Sequence, residues 1–317
     1  MRNYPEIGVQ VSDNLLPTSQ IDPEKWAVIA CDQFTSQPEY WQKVQEKVGS
    51  SPTTLDLILP EVFLGTHEES RRIQTTQQAM QRYLEEKILS PCEGLIFVER
   101  EVDGKTRRGL MMALDLERYD FSKGSQSLIR ATEGTIIERL PPRIRIREGA
   151  ILEIPHILVL IDDPDRTIIE PLVGIKPALK PLYDFDLMFG SGHLRGYLID
   201  DPAQEQRIID ALTRLADPQR FQQAYQAGPE KGVLLFAVGD GNHSLATAKS
   251  IWEKLKSSVE PNHPARYALV EVENVHDAGL FFEPIHRVLF GVQSDWKKSA
   301  EDFFKGKVSF QSTASLE

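Results

Sequence analysis

The stretch KGVLLFAVGDGNHSLATA, residues 231–248, joins a six-residue apolar run, Val233 to Val238, to a glycine-rich polar corner and then to an amphipathic repeat. A short, continuous apolar run bounded by glycines reads as a strand buried on both faces. Beyond the corner, Leu245, Ala248, Trp252 and Leu255 recur at helical spacing, while Lys249, Glu253 and Lys256 take the opposite side. The spacing predicts a strand, a turn at Gly239-Asp240-Gly241-Asn242-His243, and a helix starting near Asn242. Asn242 suits the N-cap, because its side-chain carbonyl can accept from an orphan amide of the first turn. Gly239 and Gly241 permit a left-handed or close-approach backbone.

A strand-to-helix corner of this kind carries chemistry in its main chain. The first-turn amides point outward with partial positive charge and suit a phosphate or carboxylate. Gly241, Asn242 and Ser244 are the candidate phosphate contacts. Asp240 offers a metal-binding carboxylate and His243 a general acid or base. Glycine, aspartate and asparagine also crowd ordinary turns, so a plain capping turn stays open beside the anion site. The corner is neither a G-x-x-x-x-G-K-[ST] loop nor a G-x-G-x-x-G fingerprint.

Composition narrows the function classes. With 317 residues, 41% hydrophobic and 26% charged, the chain reads as one elaborated globular domain spanning 1–317, with the prospect that further residues follow Glu317. No apolar run approaches a membrane span, and the N-terminus lacks a secretory h-region, so a cytoplasmic setting is expected. Cys31 and Cys92 match no zinc spacing and read as reduced packing residues. The net charge of −11, from 36 basic and 47 acidic residues, and the lack of a dense basic run argue against nucleic acid. The expected partner is a small phosphorylated ligand; composition leaves the oligomeric state open.

Other segments predict a mixed α/β body, an α/β (α+β) fold with a mixed sheet and flanking helices. Trp26–Ala30 reads as a short strand delivering Asp32 to a second corner, followed by a helix through Trp41 and Val44. A long helix is expected over residues 67–89, and Asp103-Gly104 marks a hairpin between 95–102 and 109–116. Glu133 and Thr135, around Gly134, are candidate site-lining groups. The alternation of Ile with Arg143, Arg145 and Arg147 reads as a strand with one charged face, either solvated or gripping an anion. Ala150 to Leu160 reads as a helix start running into a strand, with Asp162-Asp163-Pro164-Asp165 as a hairpin tip. The segment 185–197, with His193 and Arg195, is either a glycine-rich ligand loop or a connector. Asp201 and Pro202 start a helix to about Leu215. Strands are expected at 267–272 and 279–282, the second presenting His286 and Arg287, and a helix and strand at 294–304 and 308–310.

Six stretches, CDQFTSQPEYW, LPEVFLG, RATEGTIIERLPPRIR, LMFGSGHLRG, VGDGNHSLATA and FFEPIHRVLFG, together resemble the domain of unknown function 1015 family across almost the whole chain. Typical members resemble D-G-H-H-R where this chain has Asp240-Gly241-Asn242-His243-Ser244, and P-T-H-R where it has Pro284-Ile285-His286-Arg287. That corner is in turn similar to the phosphate-binding turn of the ParB/sulfiredoxin-like fold, whose members include nucleotide hydrolases and small-molecule kinases. The likeness implies that residues 241–244 wrap a phosphate chain. Ser244 stands where the arginine would be, so a bidentate grip is lost, and Arg143, Arg195 or Arg287 is the candidate replacement.

These readings lead to an enzyme that binds a nucleotide or other phosphorylated small molecule and performs phosphoryl transfer or hydrolysis. In it Asp240 holds magnesium or orients a nucleophile, His243 moves a proton, and Asp32 is a further catalytic candidate. Two alternatives stay open: a ligand-sensing or partner-binding module with the same pocket and no turnover, and a metal-dependent hydrolase using His193, His243 and His286.

Overall fold

In the computed structural model, which describes residues 1–154, 156–281 and 291–312, the chain divides into a body, Met1–Leu280, and a C-terminal unit, Phe281–Glu317. In the body, β1 (Arg2–Tyr4) and β2 (Val9–Val11) form a short hairpin. β3 (Asp13–Pro17) and β4 (Leu89–Glu93) pair as a separate two-stranded sheet, and α1 (Pro23–Trp26), α2 (Pro38–Val48) and α3 (Glu69–Glu85) run between them. β5 (Leu95–Val102) and β6 (Lys105–Asp115) make the hairpin that the sequence predicts. Its turn residues, Asp103 and Gly104, both have positive φ, 50° and 73°, as a type I′ turn requires. Then follow β7 (Tyr119–Asp120), β8 (Ile129–Ala131), α4 (Leu140–Arg147), β9 (Leu158–Ile161), α5 (Pro171–Ile175), β10 (Lys180–Asp186) and β11 (His193–Ile199). α6 (Pro202–Leu215), α7 (Pro218–Tyr225), β12 (Phe236–Asp240), α8 (Asn242–Leu255) and β13 (Tyr267–Asn274) complete the body, and α9 (Trp296–Phe303) lies in the C-terminal unit.

The large sheet has 11 strands in the order β10-β11-β5-β6-β13-β9-β12-β8-β7, with β2 joined to the far end of β6 and β1 to β2. β13–β9, β12–β8 and β7–β8 are parallel and the remaining pairs antiparallel, so the body is an α/β fold on a mixed sheet flanked by helices. No helix among the described residues is long and apolar enough to cross a membrane.

Register separates the two faces of this sheet, because cross-strand partners share a face and neighbours in sequence do not. Ala268, Val270 and Val272 of β13 join Leu110, Met112 and Leu114 of β6, Phe97 of β5, Val159 and Ile161 of β9, and Phe236 and Val238 of β12 in the main core. α6 and α8 contribute Ile208, Leu212, Leu245 and Trp252 to it. The start of α6 is as the sequence predicts: Asp201 accepts from the Ala203 amide and Pro202 opens the first turn.

The other face carries a row of polar positions: Arg100 opposite Arg107, Gly109 opposite Glu273, Met111 opposite Glu271, and Glu271 opposite Leu158. Asp240 joins that row through a bulge. Val238 pairs with Val159, but Asp240 pairs with Leu158, so Gly239 is the extra residue. Were Gly239 paired in a regular ladder, strict alternation would turn Asp240 to the core side with Phe236 and Val238; leaving Gly239 unpaired in the bulge places Asp240 opposite Leu158 on the other face.

Several local expectations are corrected. Residues 27–30 form no strand, because α1 uses Trp26 and the Val28 amide donates to Thr54 Oγ1 at 3.2 Å instead of to a ladder. The arginine segment is the helix α4 and not a strand, with Pro141 and Pro142 in the first turn, where they cost no hydrogen bond. Ala150–Ile154 is irregular and starts no helix. The DDPD run tips no hairpin: β9 pairs with β12 and β13, and buried Asp163 ties the following loop by accepting from the amides of Thr167 and Ile168 at 2.6 and 3.0 Å. Residues 279–281 and 308–310 are not strands. At α8 the N-cap is Gly241, at φ 81°, and Asn242 is the first helical residue.

Candidate functional site

Where β12 meets α8, Gly241 is required twice over. Its φ of 81° is left-handed, and a Cβ there would lie 3.0 to 3.1 Å from Ile157. The Gly241 amide donates to Asp240 Oδ1 at 2.8 Å, and the α8 ladder begins with Leu245 donating to the Gly241 carbonyl. The amides of Asn242, His243 and Ser244 therefore precede the ladder and have no acceptor among the described residues. Asn242 is buried, donates at 3.5 Å to the Val238 carbonyl, and leaves its Oδ1 enclosed without a donor.

This helix start opens on a cavity of about 190 Å³. Asp240, Gly241, Asn242, His243 and Ser244 line one side, with Asp32, Glu61, Glu133 and Arg143 nearby on the wall. Leu57, Leu59, Met80, Ile146, Leu152 and Ile154 give the remainder an apolar lining. Loop 31–33, the turns Thr54–Leu57 and Glu61–Phe63, α3 and α4 thus build a pocket with one polar end. α4 supplies Arg143, which pairs with Glu61, and Arg147, which pairs with Glu153 at 2.8 Å. Both guanidiniums on the wall are already neutralised.

His243 sits in this wall with its Nε2 accepting from the Ile136 amide at 3.2 Å. Burial, then the positive charges of Arg143 and Arg139, hold its imidazole below the ordinary value. The ring is therefore neutral near pH 7, with Nδ1 carrying the proton. Cys31 lines the same cavity, and burial, reinforced by Asp32 and Glu61, pushes its thiol up to about 12, so it is no thiolate nucleophile at neutral pH.

The predicted site residues thus fall into four sets. Asp240, Gly241, Asn242, His243, Ser244, Asp32, Glu133 and Arg143 line one cavity. Thr135 does not; its Oγ1 is enclosed elsewhere in the 132–137 loop. His193 and Arg195 lie on β11, with β5, β6, β13 and β9 between them and β12. There His193 bonds Asp186 and Asp184, and Arg195 pairs with Glu101 at 3.4 Å. Those hydrogen bonds, Asp186 first, hold His193 above the ordinary value. The sheet therefore keeps His193 from sharing an ion with His243, and of the candidate replacement arginines Arg143 reaches the His243 pocket while Arg195 does not. His286 and Arg287 lie outside the described residues. No group of three or more His, Cys, Asp or Glu side chains among the described residues is placed to hold a metal.

Sequence reasoning missed His156 and Glu153, which also line the cavity, and the pairing of Arg143 with Glu61. The LPEVFLG stretch was a signal for Glu61, since it lies among the segments that mark the family resemblance. It also missed a second cavity, of about 500 Å³, that shares Cys31, Ile58, Ile154, His156 and Asp240 with the first.

No curated protein and no solved structure matches this chain. Residues 15–313 match the family described as Protein of unknown function (DUF1015), and with nearly the whole chain covered the protein belongs to that family.

Proposed function

We propose that the protein binds a nucleotide or another phosphorylated small molecule at the start of α8 and transfers or hydrolyses its phosphoryl group, in a cytoplasmic setting. The observation that carries this reading is the set of acceptor-less amides at Asn242, His243 and Ser244, presented by the left-handed Gly241 at the polar end of a partly apolar cavity. Phosphate oxygens suit those donors, and a base or other apolar moiety suits the lining of Leu57, Met80, Ile146 and Ile154. The likeness of the corner to the ParB/sulfiredoxin-like turn belongs to the same reading.

The charges around the site suit a cation bound together with that anion. Asp32, Glu133 and Asp240 add negative charge to a wall whose two arginines are already paired. Magnesium is commonly held by one or two carboxylates plus substrate phosphates, and Asp240 is the residue that would hold it. When bound it supplies charge neutralisation. The chain's own contributions are positioning by the amides, a donor at Nδ1 of neutral His243, and Asp32 as the group that orients a hydroxyl or water.

One observation favours a second reading, a ligand-sensing module without turnover. The Nε2 lone pair that a general base would use is occupied by the Ile136 amide.

A thermal-shift screen with nucleotides, sugar phosphates and magnesium tests both. A ligand at 100 times its Kd stabilises by about 2.7 kcal/mol, and removing magnesium with a chelator should shrink that response. Asp240→Asn and His243→Ala should abolish turnover of a responding ligand while binding persists. Binding without turnover in the parent protein selects the sensor, and no response to any phosphorylated compound ends both readings.

A further inference from the structure

The second cavity has its own chemistry. Arg100 and Arg107 stand directly opposite each other on β5 and β6, and both line it, as do Glu271, Ser191 and Tyr40. Like charges facing across adjacent strands repel, and a sheet gains nothing from placing two guanidiniums there. Arg107 is compensated, with Nε 2.7 Å from Glu273 and an Nη 3.6 Å from Glu271. Arg100 is not. Its one hydrogen bond runs from Nη2 to the Ser191 carbonyl at 3.3 Å, and its Nε is enclosed with no acceptor. No carboxylate among the described residues lies within ion-pair distance of it; Glu271 and Glu273 act on it only from farther off, and burial, then Arg107, lowers its affinity for its proton. An enclosed cation without a counter-ion is a costly arrangement unless something else supplies the negative charge.

The fold holds this arrangement in place. Gly109, the residue two beyond Arg107, leaves the space that Glu271 occupies, since a Cβ there would lie 2.2 Å from Glu271 Oε1. Glu271 thereby lies across β6 beside Arg107, while Arg100 on β5 lines the cavity. Burial raises the Glu271 and Glu273 carboxyls above the usual carboxylate range, with Glu273 pushed up to about 8.

We infer that the second cavity is a binding site for a small organic anion, a carboxylate or phosphate group received by the Arg100 guanidinium with Arg107 beside it. The planar donor fork matches either group in a bidentate way. The cavity volume of about 500 Å³ admits a metabolite-sized molecule. Because Asp240 borders both cavities, the anion would lie on the other side of that carboxylate from the α8 amides. The inference rests on Arg100 and its surroundings and stands apart from the phosphoryl-transfer reading.

The test uses the full chain with succinate and inorganic phosphate as probes. Either probe should raise the melting temperature of the parent protein in a saturable way, and Arg100→Gln should lose that response. His243→Ala, in the other cavity, should keep it, so failure of the phosphoryl-transfer reading leaves this result intact. In buffer without polyvalent anions, Arg100→Gln should melt at or above the parent, because an uncompensated cation has been removed. Equal responses of Arg100→Gln and parent would overturn the inference, as would a marked fall in its melting temperature without anion. Hydrogen exchange on the parent protein gives a readout that needs no variant. Succinate should slow exchange in residues 97–110 and 187–194, and slowing confined to 240–247, or none at all, overturns the inference.

Discussion

The backbone amide of Ile136 donates to Nε2 of His243 across 107 positions of sequence, and this single bond sets the tautomer of the imidazole at the mouth of the first cavity. Burial, with the charges of Arg143 and Arg139, shifts the His243 titration in the direction opposite to that of His193.

For His243 the folded value lies below the ordinary 6.5. Above that pH both folded and unfolded chains hold a neutral ring; below it the unfolded chain protonates first, so stability declines as pH falls toward the folded value. For His193 the folded value is raised, so its contribution is present below 6.5 and is lost as pH rises through the folded value. Histidine ring-proton NMR should show one resonance titrating below 6.5 and another above it, assigned by His243→Gln and His193→Gln respectively. The reverse order would contradict the placement of His243.

Arg143 is the largest charge acting on that ring. Arg143→Gln should move the His243 titration back toward the ordinary value, measured by the same resonance. A compensating change at Glu61, its partner, is part of the same experiment: Glu61→Gln leaves the guanidinium unneutralised and should shift His243 further down.

Gly241→Ala meets a left-handed φ and a crowded Ile157 at once. The expected cost is about 1–3 kcal/mol, read as a lower denaturation midpoint with an unchanged m-value. Gly134→Ala is the control, since nothing lies near its Cβ position and its φ is not left-handed; it should change stability by less than about 1 kcal/mol.

Asp163 is fully buried and accepts from two amides and the Thr167 hydroxyl. Asp163→Ala orphans those donors and should cost about 3 kcal/mol. It lies in neither cavity wall, so any ligand response should survive at temperatures where the variant stays folded.

Those parts of the molecule governed by local rules could be read in advance. The β5–β6 hairpin follows from two residues tolerant of positive φ, α6 from Asp201 and Pro202, and the β12–α8 corner from an apolar run stopping at glycines. What failed were segments where nonlocal partners decide. The apolar run at 27–30 gives its Val28 amide to the Thr54 side chain, and the alternating arginines of α4 form a helix whose charges are met by Glu61 and Glu69 from distant segments and by Glu153 just beyond the helix. The N-cap moved by one residue because Gly241 can occupy a left-handed state that Asn242, held in the helix and buried, does not need. Arg100 and Arg107 were within reach of sequence reasoning. Counting outward from Asp103-Gly104 pairs Val102 with Lys105, Glu101 with Thr106, and Arg100 with Arg107.

The bulge at Gly239 makes pairing register, rather than side-chain identity, the variable that assigns Asp240 to its side of the sheet. A regular ladder through the same residues would pair Gly239 with Leu158 and turn the Asp240 carboxylate to the side of Phe236 and Val238 instead of to the two cavities, whereas excising the glycine would close the bulge and leave the carboxylate opposite Leu158. Insertions and deletions here act through pairing register, and an alignment of relatives has to be judged at this strand by spacing before it is judged by letters.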